Sequence, residues 1–314
     1  MSHDLAIVPL SASRFDGWVH RFRLVWLRRL APVRVVMAVS DKGLVCIWES
    51  QKQWFCVDAV WPDGSCHQGL PVQSEAIADL IADLLLDLDL QGASIDLLLP
   101  LELCDWNFVD GLPPSAGIQQ QVSVLQAMPW SAPIDHFYVS SSECSESTMA
   151  VAVARSDLDA WINVFDLADL PLNRVDWQLS AAFKGLMKRL PKTSIDLVWS
   201  IASAGHERLL LIRNGVPEVD QAFDAGSSLS SDLIAIHDLV SAWRSLRPVD
   251  TPVHWLQTGT SNSAPTSGAF LQNDDTDSLI PVPSEQLMPL DPAAPPELLD
   301  DLVSLAFEGL DLKL

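Results

Sequence analysis

The residues closest to forming a reaction site lie at a sharp turn between two apolar strands. Residues 33–50, VRVVMAVSDKGLVCIWES, read as a strand, a tight Asp-Lys-Gly turn and a second strand. A hairpin of this shape meets phosphate when an acidic residue and glycines stand at its turn. The acid holds a metal ion, and the glycines let backbone N–H groups approach phosphate oxygens. Here Met37, Ala38 and Ser40 stand at those places, and Asp41 lies at the tip. Residues 194–213, SIDLVWSIASAGHERLLLIR, repeat the device as a buried strand, a small-residue turn and a second strand. The tetrapeptide SIDL occurs at both 94 and 194.

Other reactive constellations are sparse. The chain has no P-loop, G-x-G-x-x-G or H-E-x-x-H. His206 beside Glu207 and His237 beside Asp238 pair a histidine with a following carboxylate, and neither accompanies a G-x-S-x-G elbow. Cys46, Cys56, Cys66, Cys104 and Cys144 form no C-x-x-C pair, which indicates reduced, buried thiols rather than a disulfide or zinc framework. Asp79, Asp83 and Asp87 recur every four residues and read as a solvated helix face, because no second ligand set accompanies them.

A chain of 314 residues with 48% hydrophobic content can bury a large core, in two domains or one bilobed unit. The charge of −22 argues against a nucleic-acid groove, and it is unevenly spread. Residues 1–34 hold six arginines against Asp4 and Asp16, whereas the remainder carries 13 basic and 39 acidic side chains. No apolar run is long enough to span a bilayer, and arginines interleaved among the N-terminal apolar patches read against a secretory leader. These features predict a cytosolic protein. Within residues 13–30, Phe15, Trp18, Phe22, Trp26 and Leu30 share one helical face, and Arg14, Arg21 and Arg28 share another. Such a helix suits an anionic bilayer surface, or it packs its aromatic face on the chain's own acidic body. Both readings stand.

The elements that would position a site follow in order. Residues 53–61 alternate as a third strand, and 74–92 predict a helix capped by Ser74 and ended by Gly92. Its buried stripe is Ile77, Leu80, Ile81, Leu84 and Leu88. SIDLLLP (94–100) reads as a buried parallel strand. Residues 101–165 interrupt the pattern with helical QQQVSVLQAM, strands HFYVSS and TMAVAVAR, and a helix capped by Ser156. NRVDW and QLSAAFKGLMKRL resume it as strand and helix. The second half repeats the hairpin, adds strand GVPEVDQAF, helix SSDLIAIHDLVSAWRSL, a strand running into a Gly/Ser/Thr loop at 252–265, strand-like SLIPV and a closing helix. Two halves with the same opening predict a duplication: paired ribonuclease-H-like α/β domains facing a cleft, with a small α+β insertion, the actin-like ATPase plan.

In that order the segments resemble the PilM/GspL family of actin-like proteins from type IV pilus and type II secretion machines, over residues 33 to 314. GIQQQVSVLQAMPW places Met128, Pro129 and Trp130 where the family has a helix ending near Ile-Pro-Phe, and His136, Phe137 and Tyr138 follow. MAVAVARSDLDAWINVFDLADLPLNRVDWQLSAA matches at Leu170, Asp176 and Ala181, with Gln178 replacing a glutamate. LLLIRNGVP, VHWLQTGTSNSAP and SLAFEGLDLKL resemble later family segments, Gly259 being retained from a Gly-Gly loop near the nucleoside.

The resemblance implies that two Asp-Ile-Gly turns handle metal-bound phosphates. They fall here on Ala38, Val39 and Ser40, and on Ser200, Ile201 and Ala202. Ala38 carries no carboxylate and Ser200 no charge to hold magnesium. Residues 225 to 251 are too short for the subdomain that often covers adenine. The expectation is therefore a non-catalytic scaffold without cofactor, ATP with magnesium being less favoured. The family implies a cytosolic protein peripheral to the inner membrane, binding the N-terminal peptide of a PilN-like single-pass partner. The pilus or secretion ATPase and an anionic membrane surface are further expected partners. Trp106, Phe108, Trp130 and Tyr138 are the nominated peptide contacts. Segment boundaries are expected at 1–31 (basic segment), 32–100 with 166–192 (first domain), 101–165 (insertion) and 193–314 (second domain). A working ATPase of the same machinery and an FtsA-like division protein are the alternatives.

Overall fold

All but the first residue of β1 (Arg34–Val39) is buried, as its unbroken apolar run requires, and the strand lies inside a six-stranded sheet. The computed structural model describes residues 32–110, 130–144, 147–190, 196–203, 206–224, 229–246, 253–259, 278–279, 287–290 and 296–310. β1 pairs antiparallel with β2 (Gly43–Ser50), which pairs antiparallel with β3 (Gln53–Val60). A two-strand hairpin, β4 (Cys66–His67) and β5 (Leu70–Pro71), follows. Helix α1 (Ser74–Asp87) then leads to β6 (Ser94–Leu99), parallel to β1 on its other side. The inserted strands β7 (Cys104–Asp110), β8 (Phe137–Cys144) and β9 (Ser147–Ala154) form their own sheet in the order β7-β9-β8. Helix α2 (Arg155–Leu167) packs on α1, and β10 (Leu172–Trp177) joins β6 in parallel.

After α3 (Gln178–Arg189) the plan is repeated. β11 (Asp196–Ser203), β12 (His206–Arg213) and β13 (Val216–Asp224) pair antiparallel. Helix α4 (Leu229–Ser245) covers them through Ile236, Val240 and Trp243. β14 (Val253–Gly259) and β15 (Ser278–Leu279) then add in parallel beyond β11. The orders β3-β2-β1-β6-β10 and β13-β12-β11-β14-β15 are the same order with the same strand directions. The duplication is thus written in topology. The repeated SIDL does not mark it: Asp96 lies on β6 and Asp196 on β11, strands with different places in their sheets. Each buried aspartate meets an arginine, Arg34 at 2.5 Å and Arg213 at 3.8 Å, as burial of a charge demands.

Two late elements cross back to the first sheet. β16 (Leu287–Pro289) extends it beyond β3, and α5 (Asp301–Gly309) packs along α3. That helix contact is backbone-close. A Cβ on Gly309 would stand 1.7 Å from the Ala181 carbonyl oxygen, and one on Gly185 would stand 2.1 Å from that of Leu305.

The helix ends differ from the sequence expectation. Ser74 is the first residue of α1 rather than its cap, and Gln73 at the cap position makes no side-chain capping bond. Ser156 lies inside α2, its hydroxyl 2.8 Å from Asp157 Oδ1, with Ala154 at the cap. Gly92 does not end α1. Asp89 takes the left-handed conformation (φ 55°), and Leu90 N–H reaches the Leu85 carbonyl at 2.8 Å. α2 ends identically, with Asp169 (φ 53°) and Leu170 N–H on Phe165. These are Schellman closures in which aspartate stands where glycine is usual and a buried leucine follows. Leu80, Leu84 and Leu88 are only partly buried, and Ala78 and Leu85 complete the α1 stripe instead.

Candidate functional site

The first hairpin turn, the end of β11, the start of α3 and the segment leading into α5 enclose a cleft of about 760 Å³. Ala38 and Ser40 line it from one lobe and Ala202 from the other. Ser200 lies two residues before Ala202 on β11, and Gly259 is in register with Ala202 on β14. The two turns singled out in the sequence therefore face one cleft.

Their chemistry is turned inward. The Ser40 hydroxyl donates to the Gly43 carbonyl at 3.0 Å and accepts from the N–H groups of Lys42 and Gly43, each at 3.3 Å. The amides that would cradle a phosphate thus meet a side-chain oxygen of the same turn. Asp41 directs its carboxylate at the Gly69 N–H, in the β4–β5 turn. Gly43 permits close strand packing, since a Cβ there would lie 2.1 Å from the Ala59 carbonyl oxygen. Trp61, at the end of β3, donates its indole N–H to the Ser40 carbonyl at 2.7 Å. On the other lobe the Ser200 hydroxyl donates to Glu207 Oε1 at 2.7 Å, and Gly259 (φ 96°) brings its Cα against the Ala202 carbonyl.

Gln178 opens α3 at the back of the cleft. It is buried and donates its amide Nε2 to the Val39 carbonyl at 2.6 Å. An ionised glutamate could not make this bond, so glutamine at this position has a structural use: it ties α3 to the end of β1. Asp176 accepts from the Ser180 hydroxyl at 2.8 Å and pairs with Arg174 at 2.5 Å.

The lining is acidic. Asp41, Asp63, Glu102, Glu297 and Asp300 face the cleft with Lys42 among its described residues. That potential opposes a polyphosphate brought without its metal. Among the described residues no group of three His, Cys, Asp or Glu side chains is placed to hold a metal ion. Burial, then the Asp41 charge, pushes the Cys66 thiol up to about 12, so this cleft cysteine is a poor nucleophile at neutral pH.

Asp300 caps α5, accepting from Val303 N–H at 2.8 Å, and desolvation pushes its carboxyl up to about 6 from 3.8. The folded state therefore holds this proton more tightly than the unfolded chain does, and stability falls as pH rises from about 4 to about 6. Asparagine caps as well as aspartate and does not ionise. Asp300→Asn is expected to stabilise the chain at pH 7 by about 1–2 kcal/mol, after discounting for the solvent that reaches this half-buried group, and to be neutral at pH 4. Urea unfolding at the two pH values checks this.

The nominated peptide contacts do not form one patch of exposed rings. Trp106 is 9% exposed and stacks edge-on with Phe108, Trp177 and Phe183. Phe108 is half-buried against the same cluster. Trp130 lies beside Phe137, with ring centroids 6.3 Å apart. Tyr138 is 40% exposed on β8, its ring under the Arg155 guanidinium at 4.5 Å. The predicted basic helix, with Arg14, Trp18, Arg21, Phe22, Trp26 and Arg28, and the segment QQQVSVLQAM, read from sequence as a helix, lie outside the described residues. No helix among the described residues is long and apolar enough to cross a membrane. Sequence reasoning missed Trp61, Asp300 and the 297–303 wall of the cleft. No motif signals them, because they reach it through long-range packing.

No protein-family model and no curated protein matches the sequence. Solved structures do. A chain of the PilM–PilN type IV pilus biogenesis complex is 14% identical, with a TM-score of 0.61 over 88% of this chain and 98% of that one. A Bacteroides thetaiotaomicron protein of actin-like ATPase fold is 9% identical, with a TM-score of 0.52 over 88% of this chain and 95% of that one. The cytoplasmic domain of EpsL, an inner-membrane component of the Vibrio cholerae type II secretion system, is 14% identical at a TM-score of 0.48, covering 90% and 96%. With its duplicated sheets and interlobe cleft, this chain has the actin-like ATPase fold, in a form similar to that of the PilM–PilN complex.

Proposed function

We propose that the chain is a non-catalytic scaffold on the cytoplasmic side of a type IV pilus, competence or type II secretion platform, where it binds the N-terminal peptide of a PilN-like membrane protein. The observation that carries this reading is the likeness to a chain of the PilM–PilN complex, which extends over 98% of that chain. The cleft supports the non-catalytic part: Ala38 and Ser200 replace carboxylates, Ser40 occupies the turn amides, and the lining is acidic. An acidic body favours a basic tail on the partner, and an extended peptide gains main-chain bonds at a sheet edge.

Two measurements test it. Isothermal titration of the full chain with Mg-ATP is expected to give no heat of binding at ligand concentrations up to the millimolar range; micromolar affinity would refute the non-catalytic reading. A pull-down from membranes is expected to recover a pilus or secretion component with a short cytosolic N-terminus, and recovery of division proteins would overturn the assignment.

A further inference from the structure

Asp220 joins three parts of the molecule. It lies on β13, the edge of the second sheet, and Arg208 of the adjacent strand holds it with two bonds, Nε to Oδ1 at 2.7 Å and Nη2 to Oδ2 at 2.6 Å. Oδ2 also accepts the indole N–H of Trp106, from the inserted sheet, at 2.6 Å. The same Arg208 guanidinium lies 5.2 Å from the ring centroid of Trp177, which precedes α3 in the first lobe. Trp106 and Trp177 meet edge to face, 5.3 Å apart. The fork of Arg208 fixes the carboxylate within its own lobe. What projects beyond that lobe is an oriented acceptor and a cation over an aromatic face.

We propose that this Asp220–Arg208 pair is a latch that sets the angle between the lobes by gripping Trp106 and Trp177, with the backbone-close contact of α3 and α5 as the pivot. In the latched state the cleft keeps its width without a bridging ligand. A force that displaces β7 breaks the Trp106 bond and frees the second lobe to rotate, so occupancy of the inserted sheet is read out at the cleft.

Two variants of the full chain isolate the inter-lobe bond. Trp106→Phe removes the indole N–H and keeps a six-membered aromatic ring, with a small void where the five-membered ring stood. The exchange Arg208→Asp with Asp220→Arg restores an ion pair inside the second lobe but leaves no acceptor for Trp106. This second variant keeps the whole indole and so separates the lost bond from the void. Both are expected to raise amide hydrogen exchange in β7 and residues 177–180 on the order of tenfold, the loss of one charge-assisted bond, and to increase the radius of gyration in X-ray scattering. The β12–β13 amides of the exchange variant are expected to keep wild-type protection, which separates the latch from simple loss of the second sheet. Wild-type exchange in β7 and an unchanged radius in Trp106→Phe overturn the proposal, as does a change confined to β12 and β13 in the exchange variant.

Discussion

Gly309→Ala is expected to destabilise the chain by about 3 kcal/mol or more, although alanine in place of glycine within a helix ordinarily stabilises by about 1 kcal/mol. The reversal comes from geometry. The new Cβ would lie 1.7 Å from the Ala181 carbonyl oxygen, and backbone has no rotamer by which to yield. α5 must move away from α3 by more than an ångström, opening gaps around Phe183, Leu305 and Ala306, all fully buried. Gly185→Ala meets the Leu305 carbonyl from the other side and should lose a similar amount. Gly92→Ala is the control. It has open space around it and a φ of 71°, so its loss is limited to backbone strain of about 1 kcal/mol. Thermal melts should place the two seam variants roughly 6–12 °C below wild type and the control within about 4 °C. Equal melting of all three would mean that the seam is not a structural keystone.

The duplication could be read from sequence because it is local. Alternating and unbroken apolar runs set β1, β2, β3 and β6, and the same runs recur as β11 to β14. What carries the reading is the order of elements; the accompanying SIDL repeat falls on unlike strands. The helix caps lie at residues other than Ser74, Ser156 and Gly92. Capping depends on where the preceding strand delivers the chain, and an aspartate followed by a buried leucine can close a helix without glycine. β16 and α5 could not be assigned to the first sheet and to α3 from spacing alone, since both pairings join residues more than one hundred positions apart.

The site was half legible. Absent carboxylates at 38 and 200 are facts of the sequence, and they predict what the turns lack. What the turns do instead is a matter of three-dimensional bonding: Ser40 folds back on its own amides, Asp41 turns to Gly69, and Trp61 clamps the Ser40 carbonyl. Aromatic residues near an insertion suggested peptide contacts, yet the same composition serves core packing, and Trp106 and Phe108 belong to an aromatic cluster with Phe183. An indole N–H inside such a cluster needs an acceptor, and that need leads to Asp220.

Gln178→Glu introduces the residue that the resemblance implies at this position and is expected to weaken the fold by about 2–4 kcal/mol at pH 7.5. The Val39 carbonyl would lose its donor at 2.6 Å and face a buried carboxylate instead. Protonation reverses much of this, because a carboxylic acid can donate to the same carbonyl. The introduced group should therefore have a folded pKa above its unfolded value near 4.3. The sign follows from proton linkage: the deficit is full above the folded pKa and shrinks as pH falls toward the unfolded one. Urea unfolding at pH 7.5 and 4.5 should show the difference from wild type contract by at least half, and a variant as stable as wild type at both values would mean that the bond from Gln178 to Val39 does not hold α3 in place. Introducing this carboxylate should not confer ATP binding, because Ala38 still offers no ligand for magnesium and Ser40 still fills the turn. If titration with Mg-ATP nevertheless gave binding by Gln178→Glu, the turns would be competent and the wild-type glutamine alone would be what keeps the cleft empty of nucleotide.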